Sequence, residues 1–98
     1  MILVIRNRNK IWMKGHALFD EYGKDIVCSS VSSIFTTTIN GILKLNQEAI
    51  TYQVLEDEVQ IEIKSQDEVT LKLIDNMIEL LTELSQQYPK NIRVKEGV

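Results

Sequence analysis

With 98 residues the chain has room for one domain, spanning 1–98, and one hydrophobic core with little surplus. Its 44% hydrophobic and 26% charged residues are ordinary for a folded domain, and a net charge of −3 speaks against general nucleic-acid binding and would suit a basic partner. A single cysteine excludes an internal disulfide framework, and one His beside it falls short of the roughly four N/S ligands of a closed zinc site, so no metal or cofactor is expected.

Met1 to Arg6 is nearly continuous in apolar residues and reads as a strand covered on both faces. Its run is too short for a secretory leader, and no apolar run approaches the ~18–20 residues of a membrane span. The expected compartment is therefore the cytoplasm, without membrane contact. Asn7–Asn9 is turn-like, Lys10 to Ala17 is the hairpin partner, and Leu18–Lys24 is a polar loop.

Asp25 opens a helix expected to reach about Lys44. Val27, Val31, Ile34, Ile42 and Leu45 share one stripe, and Cys28, Ser32, Phe35 and Ile39 the next. This segment is rich in Ser and Thr, so tertiary packing must hold it. Ile50–Leu55 and Val59–Lys64 follow as strands. Ser65-Gln66-Asp67-Glu68 has the capping-box pattern at the start of a second helix. Its expected buried stripe is Val69, Leu73, Met77, Leu80, Leu81, Leu84 and Tyr88, and Pro89 ends it. Asn91–Lys95 closes as a short strand. The order ββαββαβ, with about five strands and two helices, predicts a two-layer α/β (α+β) sandwich. If both helices cover one sheet face, a second copy of the chain is one way to cover the other.

Chemistry concentrates where Gly15-His16-Ala17 leads through the loop to Gly23-Lys24-Asp25-Ile26-Val27-Cys28. A thiol in the first turn of a helix lies where free N–H groups and the helix dipole favour an anion. An imidazole within reach would activate it and later protonate a leaving amine, and first-turn amides would receive an oxyanion. The competing reading is a small buried hydrophobe beside an unrelated His, and spacing alone favours that one. Gly15 either clears a path for substrate or marks a strand irregularity. Asp25 either caps the helix, which the sequence favours, or orients His16, and capping Cys28 would remove its amide from any oxyanion site. Ser32 either bonds near the thiol or allows close packing. Phe19, Asp20, Glu21 and Tyr22 either form a lid that grips substrate or an ordinary acidic loop.

Taken together, Gly15-His16-Ala17, Glu21-Tyr22-Gly23, Asp25-Ile26-Val27-Cys28 and Ser32 resemble the signature of the Prp family of bacterial ribosomal-processing cysteine proteases. Chain length, element order and the Tyr88…Asn91-Ile92-Arg93 ending are also similar. The resemblance implies a cysteine endopeptidase, active as a homodimer, that removes a short N-terminal extension from a basic large-subunit ribosomal protein. It implies a dyad of Cys28 and His16 with Gly15, Asp25 and Ser32 as supporting positions, and no direct contact with nucleic acid. Ser29 and Ser30 depart from the Ala or Gly common in that family after the cysteine. The alternatives are a non-catalytic ribosome-assembly or protein-binding module of the same fold and, last, a redox-sensing thiol.

Overall fold

The computed structural model describes residues 1–15 and 25–97. Strands β1 (Ile2–Arg6), β2 (Lys10–Lys14), β3 (Ile50–Val54), β4 (Glu58–Ile63) and β5 (Ile92–Glu96) form one sheet in the order β3-β4-β2-β1-β5. Helices α1 (Ile26–Leu45) and α2 (Glu68–Gln87) complete the expected ββαββαβ order. Only β1 and β5 run parallel; the other neighbours are antiparallel.

The register determines what each face carries. Val4 pairs with Met13, Met13 with Val59, Ile11 with Ile61, and Ile63 with Ile50. Most of these side chains join the core with Val27, Val31, Ile39 and Ile42 of α1 and Ile74, Met77, Ile78 and Leu81 of α2. Both helices therefore lie on one face. Leu3, Ile5 and Trp12 point the other way and stay half-buried, with Ile5 directly opposite Trp12. The expectation that β1 is covered on both faces is met on one face only among the described residues.

Two helix expectations need correction. Ser65 does not cap α2. Asp67 does, accepting the Thr70 N–H at 3.0 Å, while the Ser65 hydroxyl donates to the same carboxylate. The buried stripe of α2 is rotated accordingly to Thr70, Ile74, Met77, Ile78 and Leu81, leaving Val69 and Leu80 exposed. Thr70 tolerates burial because its hydroxyl donates to Asp67 at 2.8 Å, a pairing invisible to a count of apolar positions. In α1, Leu45 is exposed because the helix ends there. By length and composition α1, with a mean hydropathy of 1.5, would in fact suit a membrane span. Its apolar side instead packs on the sheet, and its other side carries Ser29, Ser32, Ser33, Thr36 and Thr37.

The Ser65 hydroxyl and then the Thr70 amide and hydroxyl hold the Asp67 carboxyl down at about 2, from an ordinary 3.8. The stabilisation from this cap is complete above the ordinary value and is lost as pH falls through the folded one. Asp67→Ala should therefore lower Tm at neutral pH, and the gap to wild type should close as pH drops from about 4 to about 2 in a melting series.

Candidate active site

Of the sequence-predicted residues, Gly15, Asp25 and Cys28 lie at one end of the sheet. Lys14 pairs with both Leu3 and Glu58, and Ile2 pairs with Ile92. The end of β2, the β3–β4 turn and the start of β5 are thus level with one another. Because α1 returns to β3 through only Asn46–Ala49, the helix runs antiparallel to β3 and starts at this same end.

Asp25 fixes that start. Its Oδ1 accepts the Val27 N–H at 2.9 Å and the Cys28 N–H at 3.0 Å, and its carbonyl accepts the Ser29 N–H at 3.1 Å. Of the two roles open for Asp25, capping is displayed, with the residue 8% exposed, while orienting His16 falls on a residue outside the described ones. The group that the positive helix end stabilises is this carboxylate. The first-turn amides of Val27, Cys28 and Ser29 are engaged by Asp25, so capping competes with any use of them as oxyanion donors. Among the described residues Ile26 carries the remaining first-turn N–H.

Cys28 is the third residue of α1, partly exposed and packed against the core. Ser32, one turn on, is exposed. On the same stripe, the Phe35 ring meets Tyr52 of β3 edge-on, with ring centres 6.0 Å apart. Gly15 has φ +88°, and a Cβ there would lie 2.5 Å from the Met1 carbonyl oxygen. The need for glycine thus comes from the chain's own backbone, whatever substrate requires. The Gly15 N–H donates to the Asp57 carbonyl at 3.0 Å, tying the end of β2 to the β3–β4 turn. Neither this tie nor the Phe35–Tyr52 contact has a local sequence signal, since both join residues far apart in the chain. His16, Phe19, Asp20, Glu21 and Tyr22 lie outside the described residues. Among the described residues, no group of three or more His, Cys, Asp or Glu is arranged to hold a metal ion.

Asp25→Ala should cost about 1–2 kcal/mol through loss of the cap, and Asp25→Asn much less, in chemical denaturation. Gly15→Ala should cost at least the roughly 1–2 kcal/mol of a left-handed backbone, read the same way.

The fold and sequence have known counterparts. The profile of the cysteine protease Prp family matches residues 2–93. The ribosomal processing cysteine protease Prp of Staphylococcus aureus is 31% identical over 86 residues, covering 84% of this chain and 80% of that protein. That of Mycoplasma genitalium is 31% identical over 106 residues, covering 98% and 96%. The crystal structure of the S. aureus protease with a covalently linked product peptide superposes with a TM-score of 0.93 at 24% identity, covering 99% of this chain and 100% of that one. With a matching profile over nearly its whole length and relatives of this similarity, the chain belongs to the Prp family of ribosomal-processing cysteine proteases.

Proposed function

We propose that this chain removes an N-terminal extension from a bacterial large-subunit ribosomal protein, with Cys28 as nucleophile and His16 as its general base and acid. The observation that carries the reading is that a cysteine protease needs a thiol, and this sequence has one Cys and one His. Cys28 sits partly exposed at the end of the sheet where Gly15 leads into His16. Structures of the S. aureus relative with a substrate peptide and with a covalently linked product peptide agree with peptide processing through a covalent bond.

In this mechanism His16 takes the Cys28 proton as Sγ attacks the scissile carbonyl. The C–N bond breaks, and the leaving amine takes the proton from His16. Water then adds to the thioester with His16 again as base, the C–S bond breaks, and the thiol is restored. Gly15 and Asp25 act through backbone placement, and the lid role of Phe19, Asp20, Glu21 and Tyr22 rests on the loop they occupy between the two catalytic residues. The work takes place in the cytoplasm, where ribosomes are assembled. A homodimer would cover the half-buried Leu3, Ile5 and Trp12 on the open face of the sheet.

Incubation with a peptide copying the extended N-terminus of the ribosomal protein, read by mass spectrometry, should give one cut. Cys28→Ala should abolish it with fold and oligomeric state unchanged. His16→Ala should slow alkylation of Cys28 at neutral pH, and equal rates would mean that the two residues do not communicate. Trp12→Glu should shift the sedimenting species from dimer to monomer.

A further inference from the structure

The two edges of the sheet are built differently. The β5 edge exposes Arg93, Lys95 and Glu96, the kind of charged strand that resists pairing with another chain. At the opposite edge β3 reads Ile50-Thr51-Tyr52-Gln53-Val54, with no charge and no proline. Its outer row of backbone groups has no strand partner among the described residues. Tyr52 is 47% exposed, Val54 63% and the following Leu55 42%. A β3 edge of this kind invites another strand.

Its position relative to the thiol is also specific. Tyr52 and Val54 lie on the helix-bearing face, since Tyr52 pairs with Ile61 and Val54 with Val59. Phe35 touches Tyr52, which places the Cys28–Ser32–Phe35 stripe of α1 along the β3 side of the helix. Cys28 is seven residues before Phe35, about 10.5 Å back along the axis. As β3 runs the opposite way at about 3.3 Å per residue, Cys28 comes level with Val54 and Leu55. A strand laid against β3 would pass beneath this flank of α1 and reach the sulfur.

We propose that the substrate binds as an added strand along the outer edge of β3. The peptide presents an apolar side chain to Tyr52 and Val54, and a basic residue beyond it to Glu56 of the β3–β4 turn. The proposal rests on Cys28 being the nucleophile and adds how the peptide is held. Main-chain hydrogen bonds to an edge recognise extended backbone of any sequence, while alternate side chains supply selectivity. The acidic turn suits a peptide from a basic ribosomal protein, and it stands at the thiol end of the edge.

The test leaves the protein unchanged in one arm and alters one exposed side chain in the other. In the first arm, the cleaved peptide is resynthesised with single N-methyl groups along its backbone. Each methyl that removes an edge hydrogen bond should lower kcat/KM about fivefold or more, and the losses should alternate with a period of two residues. In the second, Val54→Lys should raise KM about tenfold by placing a charge on the apolar strip. A flat N-methyl profile, or wild-type KM in Val54→Lys, overturns the added-strand proposal while Cys28-dependent cleavage stands. Conversion of a dimer to a monomer by Val54→Lys with KM unchanged overturns it too, assigning the edge to a second copy of the chain. If Cys28→Ala cleaves the peptide as well as wild type does, the peptidase reading fails and takes this proposal with it.

Discussion

One carboxylate organises the end of the molecule that carries the thiol. Asp25 collects two amides through a single oxygen and a third through its carbonyl, and it does so almost entirely out of water. Sequestering a carboxylate is tolerable only when its lone pairs are occupied and a positive field is present, and the start of α1 supplies both. The arrangement fixes the first turn of α1 and so the direction in which Cys28 leaves the helix. It also uses up the amides that would otherwise be offered to a developing oxyanion.

The second constraint is that both described helices lie on one side of the sheet. The alternation of β1, β2 and β4 sends Val4, Ile11, Met13, Ile61 and Ile63 to the helices, and sends Leu3, Ile5 and Trp12 to the opposite face. Among the described residues, that division leaves a sheet with one packed face, one open face and two unlike edges. Charge guards the β5 edge and is absent from the β3 edge. Each of these surfaces follows from register, because a slip of one residue would exchange the faces.

Much of this was legible in the sequence, and the exceptions have physical causes. The order of elements, the start of α1 at Asp25 and the clean alternation of β4 were readable, because each rests on residues within a few positions of one another. The family signature was readable for the same reason, being a cluster of local motifs. Register across strands was not, so the tie from Gly15 to Asp57 and the meeting of Phe35 with Tyr52 needed coordinates. The face of α2 was misjudged because Thr70 looks polar in isolation yet is satisfied by Asp67. Glycine at position 15 left substrate access and a strand irregularity both open, and the Met1 carbonyl beside it is by itself enough to require glycine. The membrane-like composition of α1 gives no continuous apolar run, because its apolar residues are interleaved with hydroxyls.

That interleaving bears on how the thiol keeps its place. A segment so rich in Ser and Thr has little tendency to coil by itself, so α1 is helical chiefly because Val31, Ile39 and Ile42 are clamped against the strands. Cys28 rides on this rod some three turns from Ile39. Its coordinates are inherited from the interior, so a loosened core residue far from the sulfur would blur the aim of the sulfur before the fold was lost.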